Sequence, residues 1–488
     1  MNFSMGGVNP TYYHCTNILL HVIATLLLYR VLLLILGQTG PKRDDPWYAL
    51  FGAALFLVHP LQSEPVNYIA ARSDILAACF VLAALHRFVA NLEGDMRFGT
   101  IIGIFFWAAL AVCSKESAIA LPFLFVLAEF YFSTGGFFAR LKRRVGLYIP
   151  LGLAGIVTAG FILKSLTAGT GAGFDTGITP LTYAVTQCLV IPEYFRLILL
   201  PVGQSLDWGF PFLDVSHWGP QWFALLTIPL AGYLILRIYR WSRLASFGFA
   251  ASLLLLAPTS SVVPLRDALA ERRMYLPLAG VVIAAAAIAR DNIPKSKTAL
   301  IFSAALIGIL AYLSYNRSVV WASDMLLWKE AVEKNPSNAR ARLGYGVALY
   351  RRGQCSGATA EFQSGLEVNP ADKKLLLNSA VAYECEGKKE NALRIYLRVL
   401  EQRPTADIYV RIGRIRLVDG DYRLATSAFD AALAMQPGDT AALAYRGATR
   451  VLSGDDAGIE DVRRVLSREP ANETALWAMA QLARVGKQ

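Results

Sequence analysis

The amino-acid sequence predicts an all-α protein, a polytopic membrane helical bundle followed by an α-solenoid of short helical repeats. Three features predict it: long uncharged apolar runs that recur up to about residue 316, a charge-rich tail of helical composition, and prolines spaced almost evenly along that tail. The 488 residues are 55% hydrophobic and only 17% charged, with a mean hydropathy of +0.42. Those values exclude a disordered chain, a small disulfide scaffold and an ordinary soluble enzyme. The expected division is a membrane domain over residues 1–316 with about ten or eleven helices, a connecting helix over 317–336, and repeats over 337–488.

A spanning helix needs about 20 mostly apolar residues. Runs that meet or approach this length cover 12–36, 47–58, 75–89, 98–113, 117–132, 145–163, 222–239, 244–263, 275–289 and 298–315. The run 181–200 is ambiguous. It holds Gln187, Pro192, Glu193 and Arg196, and reads as a kinked, re-entrant or interfacial helix as readily as a simple span. Residues before Tyr12 lack the basic start and small-residue cleavage pattern of a secretory signal, so the first run would itself direct insertion.

Charge sets the expected orientation. From Asp324 onward 24 Lys and Arg face 21 Asp and Glu, so most of the net +11 belongs to the apolar part. With the N-terminus outside, the inner loops carry Lys42 and Arg43, Arg97, the group Arg140, Lys142, Arg143 and Arg144, then Arg237, Arg240 and Arg243, and finally Arg290, Lys295 and Lys297. That is the positive-inside pattern, and the basic balance points to a membrane and not to nucleic acid. Keeping the pattern through both halves requires 181–200 to return to the side on which it starts. The tail is then extracytoplasmic, on the side of the 59–73 loop and the 264–273 segment. The expected location is the inner (plasma) membrane with periplasmic repeats, or the endoplasmic reticulum membrane with lumenal repeats in a eukaryote.

Pro336, Pro370, Pro404, Pro437 and Pro470 fall at intervals of 34, 34, 33 and 33, the period of tetratricopeptide repeats. Counting back from each proline puts small and aromatic residues where helix packing wants them. The first repeat offers Gly346, Ala358, Phe362 and Gly365, the second Ala380, Tyr383, Ala392 and Tyr396, and the third Gly413, Ala425, Phe429 and Ala432. The fourth is poorer, with Arg446 at a small-residue position. The first helices would line an inner groove bearing Arg340, Arg351, Lys374, Arg414 and Arg450. This is a candidate peptide or acidic-ligand groove, with a solvated spacer face as the plain alternative. Cys15, Cys79, Cys113 and Cys188 read as small core residues, and Cys355 and Cys385 as free thiols that could pair outside the cytoplasm. No spacing resembles a zinc or haem site, and no cofactor or metal is implied.

The outer loops concentrate ionisable residues: His59, Glu64, Arg72, Asp74, Lys115, Glu116, Asp207, Glu271 and Arg272. Such groups are costly at span ends, so their clustering points to a polar cavity at the membrane surface. Arg72, Lys115 and Arg272 are of the type that holds a lipid phosphate, and Glu64 or Glu116 of the type that accepts a hydroxyl proton. Each has a plainer reading: Asp74 as a helix cap, Lys115 with Glu116 as a neutralised hairpin tip, Glu271 with Arg272 as an interfacial ion pair. Glu129 and Arg30 read as paired or snorkelling. The glycine-rich stretch Thr167 to Gly177 reads as an outer loop and lacks the ending of a phosphate-binding loop.

The ordered runs His59-Pro60-Leu61-Gln62-Ser63-Glu64-Pro65-Val66, Arg72-Ser73-Asp74-Ile75-Leu76, Ser114-Lys115-Glu116-Ser117, Leu200-Pro201 with Leu206-Asp207, Ala270-Glu271-Arg272 and Tyr275-Leu276-Pro277 resemble the motifs of the transmembrane and tetratricopeptide-repeat O-mannosyltransferases and their bacterial relatives. Trp321, Leu327-Trp328 and Asn335-Pro336 resemble that family's passage from last span to first repeat. The resemblance implies a polytopic glycosyltransferase of the C type. Such an enzyme passes a sugar from a polyprenyl-phosphate carrier to a hydroxyl acceptor, here a polypeptide, on the extracytoplasmic side with inversion. One departure stands out. Family members begin with a further span and an outer loop bearing the principal catalytic acid, whereas no acid here precedes Asp44 and the first span follows Gly7-Val8-Asn9-Pro10. A truncated and inactive chain is therefore one expectation. The alternatives are a non-catalytic membrane-anchored repeat scaffold for envelope proteins, and an oligosaccharide polymerase or ligase, which would want a large outer loop rich in Arg and His.

Overall fold

The computed structural model describes all residues except 1–6, 8, 41, 43, 134–135, 167–176, 218, 403 and 486–488, and omits the side chains of 162–163, 165–166 and 483–485. Val8, Arg43 and most of the glycine-rich stretch thus lie outside the described residues. The described part is helical, and it divides into two compact units, Met1–Asn335 and Pro336–Gln488.

The first unit holds α1 (Pro10–Gly37), α2 (Asp45–Val58), the short α3 (Ser63–Asn67), α4 (Arg72–Val89), α5 (Phe98–Ser114), α6 (Leu121–Phe132), α7 (Phe137–Arg143), α8 (Val145–Leu166), α9 (Pro180–Leu199), α10 (Thr227–Tyr239), α11 (Arg243–Leu256), α12 (Pro277–Asn292), α13 (Lys297–Trp321) and α14 (Asp324–Lys334). Every apolar run of the sequence becomes a helix, but the lengths are uneven. Among the described residues four stretches are long and apolar enough to cross a membrane: Pro10–Gly37, Ile69–Val89, Pro220–Tyr239 and Lys297–Trp321. The pair α7 and α8, bent by 79°, would make a fifth. Helices such as α2, with 14 residues, extend only about 21 Å and cover part of a bilayer.

Lipid-facing surfaces are apolar and core faces are small. Val145, Ile149, Leu153 and Ile156 of α8 and Leu300, Ile301, Phe302 and Ile309 of α13 are exposed. Gly248 of α11 and Gly280 of α12 let two backbones touch: a Cβ on either would come within 2.6 Å of the other helix's main chain. Close approach through small residues is how membrane helices gain packing energy without a hydrophobic drive between them.

Polar contacts sort into two sets at opposite ends of the helices. At the basic end Arg290 Nε donates to Asp45 Oδ1 at 2.6 Å, Lys42 meets Asp291 at 3.6 Å, and buried Arg144 holds Glu129 and the carbonyl of Leu92. At the other end, which carries the sequence motifs, His59 bonds the carbonyl of Ile198 and Gln204 donates to that of Pro60.

Helix α9 settles among the readings of run 181–200. It is one unbroken helix of 20 residues, about 30 Å long, so no re-entrant turn interrupts it. Tyr183 donates to Thr259 O, Gln187 to Ala268 O and Tyr194 to Ala270 O, while Ile198 O receives His59. All four partners belong to motif-end segments. The helix therefore lies along that end, as an interfacial helix does, and its charged pair Glu193 and Arg196 is internally matched at 2.6 Å.

The second unit stacks α15 (Ala339–Tyr350) on α16 (Cys355–Val368), α17 (Lys373–Cys385) on α18 (Lys389–Gln402), α19 (Ala406–Val418) on α20 (Tyr422–Met435) and α21 (Thr440–Leu452) on α22 (Ala457–Arg468), closed by α23 (Glu473–Val485). A Cβ at Gly346 would sit 2.4 Å from the ring of Phe362, and one at Gly413 2.6 Å from that of Phe429. Glycine and aromatic are thus one fitted pair. In the fourth repeat the close approach belongs to Gly447, against Val462, one position after Arg446. Arg446 is instead taken by the buried Asp461 and by Asp430.

Two cysteine readings change. Cys355 and Cys385 form a disulfide, because the start of α16 and the end of the antiparallel α17 meet with a Cα separation of 5.9 Å. Cys15 and Cys113 are exposed on the apolar surface, not in the core; Cys79 and Cys188 are buried as expected.

Candidate functional site

The motif end is built from helix ends and tight turns. Pro60 starts a 3-10 turn after α2, which leads into α3 and brings Glu64 inward. A second turn, Glu271–Met274, precedes α12 and presents Arg272 to it. Glu64 Oε2 accepts from the Arg272 amide at 2.9 Å and Oε1 from its guanidinium at 2.8 Å. Arg272 also faces Asp267 at 3.5 Å. Burial pushes the Glu64 carboxyl up, and the arginine opposes it.

Glu271 is fully enclosed and gathers a loop. Its Oε1 accepts from Ser205 N at 2.7 Å and from the Trp208 indole at 3.1 Å, and Oε2 accepts from Gln204 at 2.7 Å. Burial first, and then the nearby Glu64 charge, push its carboxyl up to about 7. The same loop is held from α14, where Lys334 bonds the Gln204 carbonyl and Asn335 that of Trp208. Asp207, in that loop, is buried and caps Gly209 N at 3.1 Å. Gln204, Trp208 and Lys334 had no signal in the sequence, since an amide, an indole and a surface lysine are common in loops and helix ends.

A second group lies where α4 begins and α5 ends. Asp74 is ion-paired with Lys115. Both line a polar cavity of about 30 Å³ with Ser117, Thr259, Arg273 and Tyr275. Glu116, between two cavity-lining residues, is exposed and has no ion pair among the described residues. Of the three cations expected to converge, only Lys115 lines this cavity. Arg72 instead turns to Asn17 Oδ1 at 2.8 Å and the Tyr13 carbonyl, and Arg272 is taken by Glu64. The neighbouring Arg273, passed over in the sequence, faces the cavity and is fixed by the Ala268 and Asp267 carbonyls.

His59 has both ring nitrogens engaged: Nε2 donates to Ile198 O at 3.0 Å and Nδ1 accepts from Leu61 N at 3.2 Å. Burial lowers its pKa, so it sits neutral as a structural tie. In the repeats, Arg340, Arg351, Lys374 and Arg414 are all exposed. Arg414 stacks over the Tyr445 ring at 5.4 Å, and Arg351 stands just past the end of α15.

Fold and site define a class first: a multi-spanning membrane protein with a tetratricopeptide-repeat tail and glycosyltransferase-like motifs at one end of its bundle. Its relatives then make this particular. A tetratricopeptide repeat family model matches residues 326–358 and 348–407. The chain is 24% identical over 379 residues to the protein O-mannosyl-transferase F38B6.6 of Caenorhabditis elegans, covering 76% of this chain and 52% of that one. It is 22% identical over 434 residues to TMTC3 of Mus musculus, covering 81% and 46%. It is 25% identical over 406 residues to TMTC4 of Homo sapiens, covering 72% and 54%. The chain spans about half the length of these curated relatives. Among solved structures, that of YrrB, a TPR protein with an unusual peptide-binding site, covers 39% of this chain and 95% of its own at 19% identity and a TM-score of 0.30. The resemblance to the transmembrane and tetratricopeptide-repeat O-mannosyltransferases therefore holds over most of the chain, and the protein is a relative of that family.

Proposed function

We propose that the protein transfers a sugar from a polyprenyl-phosphate carrier to a hydroxyl on a polypeptide, at the extracytoplasmic face of its membrane. The observation that carries this is the Asp74–Lys115 pair, which lines a polar cavity at the motif end and leaves Glu116 unpaired beside it. In the reaction the acceptor oxygen attacks the anomeric carbon, the bond from that carbon to the phosphate oxygen breaks, and the hydroxyl proton passes to a carboxylate. Lys115 faces the departing phosphate and stabilises its charge. Glu116 accepts the proton, because both oxygens of Glu64 are engaged by Arg272. An apolar groove of about 240 Å³ meets the cavity at Ala118, between α5 and α8, and suits an isoprenoid chain.

Sidedness is supported by the segregation of Lys and Arg at the opposite end and by the Cys355–Cys385 disulfide, which belongs to an oxidising compartment. One observation favours a second reading, the non-catalytic scaffold: about 30 Å³ beside Lys115 is room for one water, not a sugar. The deciding experiment incubates the membrane-embedded protein with polyprenyl-phosphate mannose and Ser/Thr peptides. On the first reading wild type transfers mannose, Lys115→Ala and Glu116→Gln fall by about 10²-fold or more, and Arg72→Ala falls less. No transfer by wild type rejects it.

A further inference from the structure

The repeats carry a second groove, on the face opposite the one the first helices line. Helices α16 and α18 lie to either side of α17, and between them opens a cavity of about 430 Å³ lined by Gln363, Glu367, Tyr383, Asn391, Arg394 and Arg398. Asn391, Arg394, Ile395 and Arg398 follow the i, i+3, i+4, i+7 spacing, so one stripe of α18 faces it. Arg394 and Arg398 are one turn apart, exposed, and without an ion pair or hydrogen bond among the described residues. Like charges at that spacing weaken a helix. Some arginines of the array are matched at short range, as Arg342 is to Glu361 at 2.8 Å and Arg446 to Asp461 at 2.7 Å, and others are not; what sets Arg394 and Arg398 apart is that both line one cavity. The lining holds one carboxylate, Glu367, against two guanidiniums, so the groove is net positive.

We propose that this groove docks an extended acidic segment of a partner polypeptide. The Cβ atoms of residues one turn apart on a helix lie about 5–6 Å apart. Alternate side chains on one face of an extended chain lie roughly 6.5–7 Å apart. Two acidic residues separated by one position therefore present carboxylates in register with Arg394 and Arg398, each able to take a forked charge-assisted bond. The Gln363 amide is already fixed by bonds to Tyr383 Oη at 3.1 Å and Ser379 Oγ at 3.3 Å, which leaves the wall opposite α18 preformed. Asn391 stands beside the arginines for the segment's main chain.

The test uses the full chain in detergent micelles and a fluorescent peptide with Asp or Glu at alternate positions, read by anisotropy. Wild type binds it. Arg394→Glu with Arg398→Glu binds at least about tenfold more weakly and gains a peptide with Lys at the same positions, a swap that a merely misfolded variant cannot show. Arg423→Ala with Arg463→Ala, exposed on α20 and α22 and lining neither groove, leaves binding unchanged. The proposal is overturned if the charge-reversed variant binds the acidic peptide as wild type does, or if a peptide with Asn and Gln in place of the acids binds equally. It is also overturned if vesicles of anionic lipid, and not the peptide, depend on Arg394 and Arg398.

Discussion

Arg272 closes on Glu64 twice, with its main-chain amide at 2.9 Å and its guanidinium at 2.8 Å. The carboxylate is 2% exposed and the arginine side chain 28%. A buried acid with both oxygens committed is a structural joint between α3 and the turn before α12. Removing its partner strands a charge. Arg272→Met is expected to destabilise the first unit by about 3 kcal/mol, and adding Glu64→Gln to recover most of that. Thermal unfolding in detergent checks it, and a double variant no better than the single one refutes the joint.

Glu271 makes the same end sensitive to pH. Its carboxyl is raised from 4.5 to about 7 in the fold, so the native state holds a proton over that window which the unfolded chain has released. Stability tied to Glu271 is complete below about 4.5, declines as pH rises to about 7, and is level beyond. Buried neutral histidines such as His59 act in the opposite sense over part of this range, so the check is the difference in unfolding midpoint between wild type and Glu271→Gln, which cannot titrate, and that difference should follow this shape from pH 5 to 8.

Packing in the repeats yields a paired prediction. Gly346→Ala places a methyl 2.4 Å from Phe362 and should cost about 1–3 kcal/mol through overpacking. Gly357→Ala, in α16, meets only Leu349 at 3.5 Å and should stabilise by about 0.5–1 kcal/mol from helix propensity. Far-UV melts of the two variants must move in opposite directions.

The repeats and the apolar helices were legible because their signals are periodic. Prolines at nearly fixed intervals and glycine sixteen residues before an aromatic state the packing directly, as Gly346 with Phe362 shows. The fourth repeat misled because counting back from Pro470 lands on Arg446, while the close contact belongs to Gly447. At the motif end, residue type announced that Glu64, Asp74, Lys115, Glu271 and Arg272 are unusual. It did not announce who pairs with whom, since Asp74 with Lys115 and Glu64 with Arg272 are joined across 41 and 208 residues. Arg72 shows the limit: a cation beside a motif, spent on Asn17 and Tyr13. Helix α9 was unreadable from hydropathy alone, and only its partners along one end made it interfacial.

The disulfide offers the last prediction and bears on sidedness. Helix α16 begins at Cys355 and the next helix, running back antiparallel, ends at Cys385, so the repeat geometry itself brings the two together over a separation of 30 residues. A cross-link of that span lowers the entropy of the unfolded chain by the equivalent of about 3.7 kcal/mol. Cys355→Ser, Cys385→Ser and the double variant should therefore destabilise the repeats by the same amount, because each removes the one bond. Thiol counting separates a formed bond from mere proximity. Protein taken from native membranes and denatured without reductant should accept a maleimide at four of its six cysteines, and at all six after reduction. Six before reduction would mean that the tail faces a reducing compartment, and the extracytoplasmic reading of the repeats would fall with it.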